Sequence, residues 1–181
     1  MIGLASPVRP YPCWNRVGNL PAMADQEQES VIRVREALAA EGVPGQVRRL
    51  DDSARTAKEA AEALGIVPAQ IASSLIFMAD GHAVLVVASG GHRVDTGKVA
   101  AVLGVSEVAK ASADDVRTAT SFAIGGVAPI GHPAPISTIV DVDLGNYDEV
   151  WAAGGHPHYV FPTTFDELVR ITGGTPADVG A

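Results

Sequence analysis

The sequence predicts an α+β fold with a mixed, largely antiparallel, barrel-like sheet surrounded by helices. Two almost continuously apolar runs, 73–78 and 83–88, are joined by the short turn Ala79-Asp80-Gly81-His82. This pattern predicts an antiparallel hairpin that is covered on both faces. The predicted strands also outnumber the helical crossovers that a doubly wound parallel sheet would need, so a parallel α/β architecture is disfavoured.

The N-terminal half contains local start and stop signals for helices. Thr56 and Glu59 match a capping box, and Gly65 is a typical helix end. The predicted elements before the hairpin are a helix over 26–41, a short strand over 46–50, a helix over 57–64 and a turn or short helix over 66–71.

The C-terminal half alternates short helices and short strands. Asp95 is a candidate N-cap, and Gly104 is a candidate helix end. The predicted elements are helices over 95–103, 112–117 and 164–171 and strands over 136–141, 149–153 and 158–161, the last two joined by Gly154-Gly155-His156-Pro157.

Length and composition predict one globular domain preceded by an arm. The 181 residues are 47% hydrophobic and 19% charged, which excludes a disordered chain. Residues 1–24 hold four prolines without periodicity and lack a signal-peptide core. We therefore expect a poorly ordered arm over 1–24 and the domain over 25–181.

Charge and cysteine content limit the partners. The net charge of −8 argues against a broad phosphate-neutralising surface and against DNA binding, although a local basic patch is compatible with it. Cys13 is the only cysteine, so neither an intrachain disulfide nor a cysteine zinc cluster can form, which favours a reducing compartment. No apolar run has the length of a membrane span. These observations predict a cytoplasmic protein that does not bind membranes.

The segment 122–133 is the strongest candidate for a ligand-binding loop. Gly125 and Gly126 permit a sharp turn and close approach to backbone amides, and Pro129 and Pro133 stiffen the exit. Consecutive amides can form an anion-binding concavity. A plain turn between strands explains the same spacing, so the residues alone leave both interpretations open.

Other side chains give weaker signals. His132, His156 and His158 follow small-residue turns but lack the spacing of a common zinc site, so we predict no metal. No phosphate-binding or dinucleotide motif is present, so we predict no cofactor. Ser73 and Ser74 open a strand without a nucleophile motif. Asp141 ends a strand as either a site carboxylate or the cap of the next turn.

Together these segments resemble the YbaK/ProX family, the free-standing relatives of the editing domain in bacterial prolyl-tRNA synthetases. The resemblance covers about residues 27–179 and is most specific at the glycine loop. It rests on Thr56-Ala57, Leu64-Gly65-Ile66, Gln70-Ile71-Ala72-Ser73-Ser74-Leu75-Ile76-Phe77, Lys98-Val99, Leu103-Gly104, Gly125-Gly126-Val127-Ala128-Pro129-Ile130-Gly131, Ile139-Val140-Asp141 and Trp151-Ala152-Ala153-Gly154.

The resemblance implies an aminoacyl-tRNA deacylase that removes alanine or cysteine from the proline tRNA, using positioned water and the terminal hydroxyl of the substrate. It implies neither a metal nor a covalent intermediate. The partners would be the aminoacyl-tRNA acceptor end and, as a candidate, a prolyl-tRNA synthetase. The implied catalytic residues are Gly125, Gly126, Pro129 and Ser73, and the implied substrate-binding residues are Thr56, Phe77, His132, Asp141, Gly154 and His158. We expect Gly125, Gly126, Ser73, Asp141 and His158 to line one pocket.

Two positions depart from the family pattern. Ser73 stands where many members carry a lysine associated with activity and with binding of the tRNA end, and Ser121 stands where glycine is common. A serine hydroxyl cannot neutralise a phosphate as an ammonium group does. The first departure motivates an alternative function, a non-catalytic binding module of the same fold. A hydrolase of another small ester or amide is a third possibility.

Overall fold

The computed structural model describes residues 23–52 and 54–181, with side chains from residue 29 onwards. The predicted arm over 1–24 therefore falls almost wholly outside the described residues. No helix in the described part of the chain has the length and apolar character needed to cross a membrane.

Five α-helices and eight strands make up the regular structure of the described residues. The helices are α1 (Met23–Ala40), α2 (Ala57–Leu64), α3 (Thr96–Leu103), α4 (Ala113–Thr120) and α5 (Phe165–Thr172). The strands are β1 (Arg48–Arg49), β2 (Ile71–Ala79), β3 (His82–Ser89), β4 (Val108–Lys110), β5 (Ser137–Asp141), β6 (Val150–Ala153), β7 (Tyr159–Thr163) and β8 (Thr175–Ala177). Short 3-10 helices cover Pro68–Gln70 and Val142–Asn146.

All eight strands form one mixed sheet. The order is β1-β7-β6-β2-β3-β5-β8, with β4 also paired to β2. Antiparallel pairs are β1/β7, β6/β7, β2/β3 and β2/β4, and parallel pairs are β2/β6, β3/β5 and β5/β8. The predicted mixed α+β class is confirmed, and the sheet is open rather than closed into a barrel.

The central hairpin is buried on both faces, as its apolar runs predict. Leu85 and Val87 of β3 pack in the larger core cluster, which includes Val34 of α1 and Leu168 of α5. The alternate residues of β3 pack on the other face in a second cluster with Val99 of α3. Because successive strand side chains point to opposite faces, one strand supplies both cores.

Helix boundaries follow the predicted capping residues. The Thr56 hydroxyl accepts a hydrogen bond from the Glu59 amide at 3.2 Å, and Gly65 ends α2 in the left-handed conformation. Asp95 caps α3 as predicted, and Thr164, the first residue of the predicted last helix, is the cap of α5. The sequence did not predict β4 or β8, because each has only three residues and is defined by pairing with a distant strand.

The hairpin turn gives a direct test of backbone conformation. Gly81 has φ +80°, and no heavy atom lies within 4 Å of the position a Cβ would take. Gly81→Ala should therefore lower the free energy of unfolding by about 1 kcal/mol through backbone strain alone, measured by urea denaturation. Asp80→Asn is the control, because asparagine tolerates the left-handed φ of 49° found there. Equal stability of Gly81→Ala and the parent protein would contradict the interpretation.

Candidate functional site

A gap in strand pairing defines the candidate site. Strand β3 pairs with β2 from Ala72 to Ala79. On the other edge of β2, β6 pairs with Ile71 and Ala72, and β4 pairs with Phe77, Met78 and Ala79. Among the described residues, no strand pairs with this edge over 73–76. A cavity of about 860 Å³ opens there, large enough for an organic ligand.

The cavity wall is mostly apolar and comes from many parts of the chain. It is lined by 71–77 of β2, 151–153 of β6, Ala54, Arg55, Thr56, Ala57, Ala60, His92, Arg93, Val94, Thr96, Lys110, Ala111, Val116, Ile124, Gly125, Val127, His156, Pro157, Tyr159 and Val160. No Asp or Glu is among these residues.

Two residues of the glycine loop line the cavity and have backbone amides without an acceptor. Gly125, with φ +87°, and Val127 both line the wall. Among the described residues, no group accepts a hydrogen bond from either amide. Val127 is buried and Gly125 is half-buried. Backbone amides away from bulk water are normally paired, so these two donors are available to a ligand or to water.

Gly126 and Pro129 shape the loop from behind the wall. The Gly126 amide donates to the Ala123 carbonyl at 3.0 Å, which leaves it unavailable to a ligand. A Cβ on Gly126 would lie 2.8 Å from the Cα of His156. Pro129 is buried and does not line the cavity. Glycine is thus required at 126 by packing against the His156-Pro157 turn.

Three further predicted residues line the cavity. Ser73 lies half-buried at the end of the gap nearest β6, and Phe77 lies where β4 begins to pair. Thr56 lies in the wall, with its hydroxyl engaged in capping α2. Backbone hydrogen bonds from Arg55 and Thr56 hold the pKa of Glu59 below its usual value, so this cap carries a carboxylate at neutral pH.

The structure also matches known proteins. The family model of the aminoacyl-tRNA editing domain matches residues 51–171, which contain every residue of the cavity wall. The chain belongs to this family. The predicted resemblance to the YbaK-like editing domains is thereby confirmed.

Solved structures of similar chains share the fold of this editing domain. One is a proposed trans-editing enzyme for prolyl-tRNA synthetase, 43% identical, with a TM-score of 0.79 over 84% of this chain and 97% of that one. Another is the hypothetical protein APE2540, 30% identical, with a TM-score of 0.77 over 82% of this chain and 99% of that one.

Curated relatives include both a free-standing protein and a synthetase. YwhH of Bacillus subtilis is 31% identical over 127 residues, which are 70% of this chain and 80% of YwhH. A proline–tRNA ligase of Bacillus licheniformis is 36% identical over 138 residues, which are 71% of this chain but only 24% of the ligase. This editing domain thus corresponds to about a quarter of that ligase.

Asp141 lies behind the cavity wall of the editing domain. It is fully buried at the end of β5, where its Oδ1 accepts the Asp143 amide at 3.1 Å and its Oδ2 accepts the Ser89 amide at 2.9 Å. Its Oδ2 is also 2.9 Å from Nε2 of His92, a cavity-lining residue. Asp141 does not line the cavity with Ser73; it caps the next turn and orients His92.

His92, Asp141 and Asp143 are the described residues whose side-chain ligand atoms lie close enough together to hold a metal, all within 4.8 Å. Both Asp141 oxygens already accept backbone amides, so this carboxylate has a structural role without an ion. No residue spacing in the sequence indicated this cluster, because its members come from two distant segments.

His158, Gly154 and His132 also lie outside the cavity wall. His158 stacks on the cavity-lining His156 with ring centroids 5.5 Å apart. Gly154 is needed for packing, because a Cβ there would lie 2.7 Å from Cγ1 of Val47. His132 bonds to the Ala128 carbonyl through Nε2 at 2.9 Å. Of the five residues predicted to line one pocket, Ser73 and Gly125 line the cavity, and Gly126, Asp141 and His158 do not.

The packing of Gly126 predicts a loss of stability on substitution. Gly126→Ala should lower the free energy of unfolding by about 1–3 kcal/mol, because the backbone at His156 must move. Gly145→Ala is the matched control, since its Cβ would lie 3.4 Å from the Phe165 ring, an ordinary contact. Chemical denaturation of the two variants measures the difference, and equal stabilities would contradict the packing argument.

His132 predicts a pH dependence of stability. Burial holds the pKa of His132 below its usual 6.5, with the Arg33 charge acting in the same direction and the Ala128 carbonyl opposing it. Below about pH 6.5 the unfolded state therefore binds more protons than the folded state, and stability falls as the pH falls towards the lowered pKa. His132→Gln should lose less stability between about pH 7.5 and about pH 5 than the parent protein, measured by urea denaturation. Parallel losses in both proteins would show that His132 is not responsible.

Proposed function

We propose that this editing domain hydrolyses the ester bond of a mischarged tRNA in trans, with Ala-tRNA(Pro) and Cys-tRNA(Pro) as the first candidate substrates. The single observation that carries the proposal is the pair of unused amides, Gly125 and Val127, in the wall of a cavity of suitable size. Membership of the editing family and similarity to a proposed trans-editing enzyme support the same reaction.

The amides suit the charge that develops during ester hydrolysis. Attack on the ester carbonyl places negative charge on its oxygen, and preorganised backbone donors stabilise that oxyanion. Each well-placed donor is worth roughly 3 kcal/mol of transition-state stabilisation. An aminoacyl ester is already activated, so two donors and a positioned water supply much of what the reaction needs.

Direct attack by water fits the serines of the site better than a covalent route. Ser73 and Ser74 line the cavity, and the Ser74 hydroxyl has no hydrogen-bond partner among the described residues. A serine nucleophile needs an adjacent general base. In the described part of the chain, no histidine is hydrogen-bonded to either serine, so neither is activated for attack.

The wall also suits selection by size. Alanines line it at 54, 57, 60, 72, 111, 152 and 153. Apolar pockets discriminate weakly by attraction, whereas exclusion of a larger side chain is effective. Amino acids smaller than the cognate one would therefore be removed from the tRNA, and the correctly charged tRNA would be left intact.

Ser73 favours a second candidate function, a binding module that has the fold without the activity. Its hydroxyl carries no charge and reaches less far than the lysine that many relatives have there. In this case the cavity would hold a ligand and release it unchanged.

Deacylation assays distinguish the two functions. We expect the purified protein to release the amino acid from tRNA charged with alanine or cysteine, in a panel that also includes serine, threonine and proline. Ser73→Lys tests the missing ammonium group, Ser73→Ala removes only the hydroxyl, and Ser106→Lys adds the same charge at an exposed position outside the cavity.

Turnover by the native protein would establish editing without the lysine and identify the amino acid. No release of any amino acid by the native protein, together with activity of Ser73→Lys but not of Ser106→Lys, would support the binding module and contradict our proposal.

A further inference from the structure

The cavity wall carries a positive charge that contrasts with the rest of the chain. The protein has 21 Asp and Glu residues against 13 Lys and Arg residues. Nevertheless, the charged residues of the wall are Arg55, Arg93 and Lys110, without any carboxylate. In an acidic protein, such a concentration of cations around a cavity favours a polyanionic ligand.

The three cations approach the cavity from different elements. Arg55 precedes α2, Arg93 lies between β3 and α3, and Lys110 ends β4. All three residues are exposed. Three cations from three separate segments of one wall can contact successive phosphates, which suits a chain of phosphates better than one isolated anion.

These charges are not neutralised by ion pairs. Lys58, Lys98 and Arg170 each have a carboxylate within 4.0 Å, whereas no ion pair in the described part of the chain includes Arg55, Arg93 or Lys110. The Arg55 charge contributes to the lowered pKa of Glu59, but Oε2 of Glu59 accepts its hydrogen bonds from the backbone amides of Arg55 and Thr56. The three side chains are therefore available to an incoming anion.

Apolar side chains accompany the cations. Leu75 is 40% exposed and Ile124 is 62% exposed, and both line the cavity. Such exposed aliphatic groups suit contact with the faces of unstacked bases. A duplex would keep its bases stacked inside, so the combination of free cations and apolar surface favours a single strand.

We propose that Arg55, Arg93 and Lys110 hold the phosphates of the single-stranded 3′ end of an RNA while its terminal nucleotide enters the cavity. This inference rests on the proposed function and assigns its RNA contacts to residues outside the glycine loop. Lys110 pairs opposite Phe77, about four residues or 13 Å along β2 from Ser73. Lys110 and a lysine placed at position 73 would therefore reach different phosphates of the RNA.

Salt dependence of RNA binding provides the test. The probe is a fluorescein-labelled single-stranded RNA that ends in CCA, titrated with full-length protein by fluorescence anisotropy over a range of salt concentrations. Three phosphate contacts predict a slope of log K against log salt near −2, at about −0.7 per contact. Arg55→Gln, Arg93→Gln and Lys110→Gln should each reduce the slope by about 0.7.

Lys58→Gln is the matched control. Lys58 is an exposed lysine of the neighbouring helix α2 that lies outside the cavity wall. The Lys58→Gln variant loses the same net charge as each of the other three variants. Because Lys58 lies outside the cavity wall, the slope of log K against log salt for this variant should equal that of the parent. Equal slopes for all four variants and the parent would overturn the assignment of the three cations.

Kinetics on charged tRNA separate this inference from the proposed function. The three variants should raise KM for charged tRNA by about 3–10-fold, and more than they raise it for a minimal aminoacyl ester that lacks phosphates. Activity of the parent with unchanged KM in all three variants would overturn the cation assignment alone. Absence of activity in the parent, with the predicted loss of salt dependence in the variants, would overturn the deacylase proposal and support the RNA contacts.

Discussion

The site depends on how strand β2 shares its hydrogen-bonding edges. One edge of β2 is paired with β3 along nearly its whole length. The other edge pairs with the parallel strand β6 at its start and with the antiparallel strand β4 at its end. The continuous ladder with β3 and the two buried cores hold β2 in place despite the gap. The cavity is therefore a consequence of sheet topology, and the loops only complete its wall.

The glycine loop completes that wall by fixing backbone positions. Gly125 takes a conformation that favours glycine, and Gly126 packs on the turn at His156 and Pro157. Glycine is thus favoured at position 125 by the backbone conformation and required at position 126 by close packing. Both glycines keep the amides of Gly125 and Val127 in a fixed position, which is the requirement for preorganised stabilisation of charge.

Local signals account for what the sequence predicted well. The hairpin follows from two apolar runs around Asp80-Gly81, and α2 follows from its capping box, because these patterns act within a few residues. Strands β4 and β8 were missed since pairing with distant segments defines them. Lys110 was missed as a cavity-lining residue for the same reason. The contact between His92 and Asp141 likewise joins segments about 50 residues apart. Gly125 was found from the conformational freedom of the glycine pair, and Ser73 was found from the family motif, so periodicity marked neither.

The gap in β2 also bears on association between molecules. An unpaired strand edge normally invites the strand of another chain and so promotes aggregation. Here the free edge covers only 73–76 and lies between β6 and β4, which block extension of a foreign strand in both directions. The protein can thus leave backbone groups open to a small ligand inside a sheet without exposing an edge long enough to recruit another sheet.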